Sequence, residues 1–355
     1  MKILFATHRF YPEVGGLETV SLILAEEFAA AGHEVRLITH AVADARTDDS
    51  RFPYPVYRRP GPARMLALLK WCDVYFQNNI SVRTLWPLLW RRRPWIPAHH
   101  TWLTRVDGSI GWQDRLKKLL LRCGTPIAVS HEVAQSLEVP GTVVIGNPYK
   151  PALFRVLPEM RRERDLVFLA RLVSDKGGDL LLDALADLKK HGFQPELTII
   201  GDGPERGNLQ RQIERLGLRD QVEFTGVLQG EDLVRALNRH RVMVVPSRTP
   251  EPFGVVALEG IACGCVVVGS EGGGLSDAIG RCGLTFPNHN REALAGTLGR
   301  VLFDPHLYDT LRAEAPAHLN RHQPEKVAEA YLEVFRETLR RQGRSVGANG
   351  EGIEE

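Results

Sequence analysis

The 355-residue sequence lacks any apolar run long enough to cross a lipid bilayer, and residues 1–8 are too short and too soon polar for a signal peptide. Its five cysteines are an odd number and include no Cys-x-x-Cys pair. We therefore expect reduced thiols in a cytoplasmic protein. The Gly-x-Gly-x-x-Gly fingerprint is also missing, which argues against the usual dinucleotide-binding site.

Length and composition favour a globular protein with two domains. A chain of 355 residues exceeds the usual size of one core, and 43% hydrophobic with 25% charged residues is typical of soluble proteins. Residues 1–150 contain 19 Lys+Arg and 13 Asp+Glu, whereas the remainder contains 26 and 30. Either an anionic partner or membrane surface meets the basic first half, or the asymmetry is chance variation.

Short apolar runs alternate with helical patterns in both halves, which predicts an α/β fold with parallel, doubly wound sheets. The sequence predicts strands over residues 2–7, 35–39, 73–76, 95–98, 127–130, 143–145, 166–170, 197–201, 222–225, 242–245 and 265–268. Helices are predicted over residues 17–31, 82–93, 254–264 and 327–340.

The stretch from Pro250 to Gly264 carries the clearest functional pattern. Glu259 is the one charged residue of a helix that is otherwise apolar, and a buried carboxylate needs either a structural ion pair or a ligand. Glu251 stands between two prolines just before that helix. The main-chain amides of residues 253–255 lie at its N-terminus, which suits an anion such as phosphate. The pattern fits a ligand with a diphosphate between two hydroxyl-rich rings.

Here the sequence resembles family 4 glycosyltransferases, which are retaining enzymes of the GT-B fold. The resemblance rests on the Glu-x7-Glu spacing of Glu251 and Glu259 around Pro-Phe-Gly, with Ala-Cys-Gly after it, and on Arg-x4-Lys-Gly at residues 171–177. It covers nearly the whole chain and is strongest over residues 166–287. The chain departs from the family at Pro148, where a glycine is usual, and at Ser276-Asp277, where Pro-Glu is usual.

The resemblance implies two Rossmann-like domains that face each other across a cleft. Residues 1–155 would form the acceptor-side domain and residues 156–325 the domain that binds the donor nucleotide. Residues 326–342 would form a helix that crosses back to the first domain. We expect the Gly- and Glu-rich residues 343–355 to be a disordered tail.

The resemblance also assigns roles to individual residues. Arg171 and Lys176 would neutralise the donor diphosphate, Glu251 would bind the sugar hydroxyls and Glu259 the ribose hydroxyls. A histidine at the end of the fourth predicted strand would lie near the sugar; His100 matches best, and His99 is the competing assignment. The remaining donor-binding residues expected are Gly15, Gly16, Gly201, Val227, Phe253, Gly254 and Val255.

The expected reaction is transfer of a sugar from a nucleoside-diphosphate donor, with either UDP or GDP, to a hydroxyl of a glycan, a lipid-linked molecule or a small molecule. The resemblance implies a front-face mechanism in which the leaving phosphate takes the acceptor's proton. The chain has no Asp-x-Asp motif, so we expect no metal and no cofactor. The alternatives are a sugar-nucleotide epimerase or phosphorylase of the same architecture, and a non-catalytic sugar-nucleotide-binding module. No nucleic-acid partner is expected.

Two basic, apolar stretches raise the question of membrane contact. Trp86, Trp90 and Trp95 surround three consecutive arginines, and a second mixed stretch runs over residues 116–122. Tryptophan and arginine suit the headgroup region, which would place the protein peripherally at the inner membrane face. The alternative is that these stretches are core-packing faces with basic ends.

Overall fold

The computed structural model describes residues 1–13, 15–44, 47–103, 111–341 and 343. The chain divides into two compact units. Of the described residues, those up to 148 and those from 324 onward form the first unit, and residues 149–323 form the second.

The described residues of the first unit form a seven-stranded parallel sheet. Its strands are β1 Lys2–Thr7, β2 Glu34–Thr39, β3 Val56–Arg58, β4 Val74–Asn78, β5 Trp95–His99, β6 Ile127–Ala128 and β7 Val143–Val144, in the order β3-β2-β1-β4-β5-β6-β7. The helices between them are α1 Gly16–Ala30, α2 Pro62–Trp71, α3 Val82–Leu85, α4 Trp112–Leu121 and α5 His131–Leu137, with a short 3-10 helix at Asp49–Arg51. Thr7 at the end of β1 lies between Thr39 and Asn78, so three strand ends share one edge.

The second unit repeats this arrangement with six parallel strands among its described residues. They are β8 Arg164–Leu169, β9 Leu197–Ile200, β10 Val222–Gly226, β11 His240–Val245, β12 Val266–Ser270 and β13 Gly283–Phe286, in the order β10-β9-β8-β11-β12-β13. The helices are α6 Gly178–Lys190, α7 Arg206–Leu216, α8 Gly230–Asn238, α9 Val255–Ala262, α10 Leu275–Ile279, α11 Arg291–Phe303, α12 Pro305–Ala313 and α13 Ala315–Arg321. The expectation of two parallel, Rossmann-like sheets is confirmed.

The last helix, α14 Pro324–Arg341, belongs to the first unit. Its Tyr331 and Phe335 are buried, and their rings contact Phe28 of α1 and Phe76 of β4. Burying aromatic rings of this size contributes strongly to stability. The tail predicted over residues 343–355 lies, apart from Gly343, outside the described residues.

Three features differ from the sequence prediction. The helix predicted over residues 82–93 ends at Leu85 and continues as a 3-10 helix, Trp86–Leu89, because Pro87 lacks the backbone N–H of an α-helix. The short strands β3 and β13 were missed, since each has only three or four residues and a half-buried middle.

The domain boundary expected between residues 155 and 156 lies within the second unit. The side chain of Asn238 binds this segment to the second unit, donating to the Arg155 carbonyl at 2.9 Å and accepting from the Leu157 amide at 2.8 Å. Because this amide side chain is fully buried, it holds the polar segment against α8. The second unit begins before this segment, at Tyr149.

One predicted site glycine has a structural reason to be glycine. Gly201 follows β9 with a φ of +135°, and a Cβ there would lie 1.9 Å from the carbonyl oxygen of Ala170. L-residues with a side chain rarely adopt this conformation. The close approach of the two chain segments at the end of β8 and β9 therefore requires glycine.

We predict that Gly201→Ala lowers the free energy of unfolding by about 3 kcal/mol, through backbone strain and the clash together. The control is Gly192→Ala, where φ is +85° but no atom lies within 4 Å of the added Cβ. That change should cost only about 1 kcal/mol, the strain alone. Urea unfolding curves compare the two, and equal losses would contradict the packing argument.

Candidate functional site

An ion pair stands at the carboxyl edge of the second sheet. Lys176 Nζ lies 2.5 Å from Glu251 Oε1, and the Ser247 hydroxyl donates to the same oxygen at 2.7 Å. Lys176 ends a 3-10 helix, Ser174–Lys176, after β8, and Glu251 follows β11. Because β8 and β11 are adjacent parallel strands, the loops that follow them meet at one edge.

The two loops are fastened to each other. The Arg248 guanidinium binds both carboxylate oxygens of Asp179, at 3.3 and 2.5 Å, and the Arg248 amide donates to the Asp175 carbonyl at 2.7 Å. A bidentate pair of this kind fixes direction as well as distance. The positions of Lys176 and Glu251 are therefore set by contacts on both sides.

A glycine-rich loop closes on the other side of Glu251. The Gly274 amide donates to the Glu251 carbonyl at 2.7 Å, and Glu251 forms a parallel bridge with Gly273. A Cβ at Gly273, where φ is +92°, would lie 2.3 Å from the Glu251 carbonyl oxygen. The absence of that side chain is what lets the loop after β12 approach the Glu251 backbone.

Helix α9 begins beside this pair. Gly254 is its N-cap, with a φ of +94°, and within the described residues the amides of Phe253, Gly254 and Val255 donate no hydrogen bond. The Phe253 ring is buried against His322, with ring centroids 5.6 Å apart, so the ring is not available to a ligand. An ammonium and unpaired helix N-terminal amides thus lie together, which is an arrangement that binds anions.

Glu259 lies one turn along α9 and is partly buried. Burial raises the pKa of its carboxyl to about 7, and the Lys150 ammonium acts in the opposite direction. This raised pKa agrees with the expectation from the sequence that burying the charged Glu259 carboxylate costs free energy.

Three other residues assigned to the donor lie at the same edge of the second sheet. Arg171 follows β8, is exposed and has no side-chain partner among the described residues. Gly201 follows β9, and Val227 follows β10 with 62% of its surface exposed. Each lies where the carboxyl ends of parallel strands place ligand-binding loops.

In the first unit, His99 is the last residue of β5 and His100 follows it. Both are buried, and burial lowers the pKa of His99 to about 3 and that of His100 to about 4. A hydrogen bond with the Asn147 side chain acts in the opposite direction and raises the pKa of His100. Both rings are therefore neutral near pH 7.

Asn79, a residue that sequence reasoning missed, fixes the backbone at His100. Its side-chain oxygen accepts from the His100 amide at 2.8 Å, and its main-chain amide donates to the Ala98 carbonyl at 2.8 Å. Asn79 has a φ of +65°, which asparagine tolerates better than most residues. The available signal was its place directly after a buried strand.

At the start of α1, Gly15 is the N-cap in extended backbone, and Gly16 is the first helical residue. A Cβ at Gly15 would lie 2.4 Å from the carboxylate of Glu18, whereas one at Gly16 would meet open space. Glu18 is buried and lies 3.9 Å from Arg9. This carboxylate beside the glycine pair was not anticipated from the sequence; Val14 lies outside the described residues.

A cleft of about 730 Å³ opens in the first unit next to these elements. It is lined from the ends of β1, β4 and β5 and from α1 and α4. Across the described ranges, no group of three or more His, Cys, Asp or Glu side chains is arranged to hold a metal ion. No helix in the described part of the chain combines the length and apolar character needed to span a membrane.

Comparison with known families decides the relationship. Residues 14–149 match the family model described as Glycosyltransferase Family 4, and residues 150–318 match the one described as Glycosyl transferases group 1. The chain belongs to glycosyltransferase family 4. This family 4 chain has the GT-B fold, as its two parallel sheets and its structural relatives show.

Curated relatives match over part of their length. The chain is 33% identical to a D-inositol 3-phosphate glycosyltransferase of Jonesia denitrificans over 182 residues, 49% of this chain and 43% of that protein. It is 33% identical to a GDP-mannose-dependent alpha-(1-6)-phosphatidylinositol monomannoside mannosyltransferase of Mycolicibacterium smegmatis over 165 residues, 44% of this chain and 42% of that protein. These matches span less than half the length of the two relatives.

Among solved structures, HepE of Anabaena in complex with UDP superimposes with a TM-score of 0.80 at 21% identity, covering 95% of this chain and 100% of that one. At this identity the likeness concerns the fold alone.

We predict that Glu259 makes stability depend on pH. Its folded pKa of about 7 lies above the ordinary value of 4.5, so the folded protein holds the proton more tightly than the unfolded chain. The Glu259 contribution to the free energy of unfolding is therefore lost as pH rises from about 4.5 to about 7. Glu259→Gln stays neutral and escapes this loss.

Chemical denaturation of both proteins from about pH 5 to about pH 8 measures the effect. The stability difference should move in favour of Glu259→Gln as pH rises and then level off. Glu292→Gln, which removes an exposed carboxyl of α11, is the control. A pH-independent difference for Glu259→Gln would show that burial does not govern this group.

Proposed function

We propose that this chain transfers a sugar from a nucleoside-diphosphate donor to a hydroxyl acceptor with retention at the anomeric carbon. The observation that carries the proposal is the Lys176–Glu251 pair beside the amides of residues 253–255, which donate to no acceptor in the described part of the chain. Together they offer a cation, an anion-binding helix N-terminus and a hydroxyl-binding carboxylate within one loop cluster. A sugar joined to a diphosphate needs all three.

In this proposal Lys176 exchanges partners when the donor binds. Its ammonium leaves Glu251 Oε1 and contacts the diphosphate, which Arg171 also contacts. Glu251 then accepts hydrogen bonds from the sugar hydroxyls. Fixed cations and amides act most strongly where charge grows in the transition state, here on the leaving diphosphate. Glu259 would accept hydrogen bonds from the ribose hydroxyls. Gly201 and Val227 are assigned to the nucleotide side of the donor.

Retention is assigned to a front-face mechanism. The leaving phosphate takes the acceptor proton while the new bond forms on the same face of the sugar, so no carboxylate nucleophile is needed. A neutral His100 suits a hydrogen bond near the reacting carbon, because its lowered pKa keeps it uncharged at pH 7. Roles for Gly15, Gly16 and His100 toward the donor stay predictions from the sequence.

The donor nucleotide is UDP or GDP in this proposal. HepE of Anabaena was solved with UDP, and the mycobacterial relative is named as GDP-mannose-dependent. The chain's own cations are assigned the neutralisation of the diphosphate, so we propose a metal-independent reaction.

We predict that Lys176→Met and Glu251→Gln each lower kcat by on the order of 10² or more, because both act on the reacting part of the donor. Lys190→Met is the matched control, since it removes an exposed lysine of α6 whose one ion pair among the described residues is with Asp187. Circular dichroism spectra and melting curves establish that each variant is folded. Near-normal turnover in both site variants would contradict the roles proposed for Lys176 and Glu251.

A panel of UDP- and GDP-sugars, assayed for binding and slow hydrolysis with EDTA present, fixes the donor first. Hydrolysis should persist in EDTA; abolition by EDTA and recovery with added cation would contradict metal independence. Incubation with donor alone also separates transferase from epimerase, since an epimerase changes the donor sugar without an acceptor.

We also propose peripheral contact with an anionic membrane through α4. Trp112, Leu116 and Leu119 lie on one face of this helix and are 73%, 37% and 60% exposed. Exposed Arg115 and Arg122 flank that face. An apolar face bordered by cations suits the headgroup region of anionic lipids.

Co-sedimentation with phosphatidylglycerol-containing vesicles should exceed that with phosphatidylcholine alone, since the arginines add electrostatic attraction. Trp112→Ser with Leu119→Ser should lower binding at least about tenfold. Phe303→Ser, at an exposed site of the second unit, is the control. Equal binding by both variants would exclude α4 as the contact.

A further inference from the structure

The cleft of the first unit is positively charged. Arg9, Arg83 and Lys117 line it, as does His8, while Glu18 is the one carboxylate among the described lining residues. The cleft stands at the carboxyl ends of β1, β4 and β5, and its Thr101 directly follows His100. Its charge therefore lies next to the histidine assigned to the sugar.

The cations that line the cleft differ in how closely carboxylates are paired with them. Lys117 Nζ forms a mostly buried ion pair with Asp114 at 3.1 Å. Arg9 is 64% exposed and 3.9 Å from each of its two carboxylates, Glu13 and Glu18, which is too long for a hydrogen bond. Arg83 is exposed and has no side-chain partner among the described residues. Arg83 is therefore the guanidinium most available to a ligand.

The positive charge of the cleft also affects the pKa of a neighbouring histidine. The pKa of His40 is lowered, first by burial and then by His8 and Arg83. His8 and His40 lie with ring centroids 5.5 Å apart, and the other cation that faces His40 is Arg59.

Apolar surface borders the cations. Trp112 is 73% exposed and Val82 is 45% exposed, and both line the cleft. A guanidinium fork suits phosphate oxygens, and an exposed indole suits the apolar face of a ring or chain. The cleft thus combines an anion site with an apolar wall.

We infer that the acceptor carries a phosphate-type anion, held by Arg83 with Arg9 and packed against Trp112. The inference rests on the proposed function, because it identifies the class of molecule that receives the sugar. The shared chemistry is a phosphate ester that also bears a free hydroxyl. Its source is either a soluble sugar or polyol phosphate, or a lipid headgroup, and the two sources give different results below.

The first arm uses soluble probes. Titration calorimetry compares glucose 6-phosphate and glycerol 3-phosphate with glucose and glycerol, in the presence of saturating UDP or GDP. The phosphorylated probes should bind at least about tenfold more tightly, since only they pair with the guanidinium. Arg83→Gln should remove this preference, Arg83→Lys should retain part of it, and Arg9→Gln should weaken it.

The matched control is Arg64→Gln, an exposed arginine of α2 outside the cleft whose guanidinium lies 4.8 Å from the Tyr57 ring centroid. It should leave the phosphate preference unchanged. The second arm measures binding to phosphatidylcholine vesicles with and without phosphatidylinositol. A loss in Arg83→Gln confined to phosphatidylinositol vesicles supports the inference with a lipid source, and a loss confined to soluble phosphates supports it with a soluble source.

The inference is overturned if phosphorylated and neutral probes bind alike and Arg83→Gln matches Arg64→Gln in both arms. Binding of UDP and GDP to the wild-type protein is measured first, in separate titrations without the acceptor probes, and tests the proposed function on its own. If neither nucleotide binds, the proposed function fails and this inference fails with it.

Discussion

The contact between Lys176 and Glu251 is the interaction on which the arrangement of the second unit's site depends. The Lys176 ammonium, which comes from a different loop, contacts Glu251 Oε1, and the Ser247 hydroxyl donates to that same oxygen. The carboxylate of Glu251 is therefore oriented by an ammonium and a hydroxyl together. The pair is mostly buried, with side chains 28% and 19% exposed, so separating it is costly unless a ligand supplies new partners for both groups. In the proposed function the donor supplies both: its diphosphate would replace Glu251 at the ammonium, and its sugar hydroxyls would replace the ammonium at Glu251.

Parallel-strand adjacency brings these groups together. Residues 176 and 251 are far apart in the chain, but β8 and β11 are neighbours, so their following loops meet. The sequence allowed prediction of both sheets and of α9, because buried parallel strands are near-continuous apolar runs. It could not predict β3 or the 3-10 helix at Trp86–Leu89, since short half-buried elements have little periodicity.

Site prediction had a similar limit. The sequence could single out Glu251, Glu259, Arg171 and Lys176 because their spacing forms motifs; all four lie in the second unit, and their roles stay predictions. The contacts that position them could not be assigned. Ser247 and Asn79 are single polar residues after strands, a common pattern, and only three-dimensional proximity shows that one binds the Glu251 carboxylate and the other the His100 amide.

The two units differ in which of their loop cations are paired with carboxylates, and the pairing affects how specifically each site binds a ligand. In the second unit Lys176 and Arg248 are paired with Glu251 and Asp179, so a ligand that takes Lys176 must replace Glu251 as its partner. Arg171 of the same unit has no side-chain partner among the described residues. In the first unit Arg83 has no such partner among the described residues, so an anion meets it without that exchange. Exchange favours a ligand that supplies both an anion and hydroxyls, whereas an unpaired guanidinium favours any anion whose oxygens fit its fork. Specificity for the donor is therefore expected to be narrower than specificity in the basic cleft.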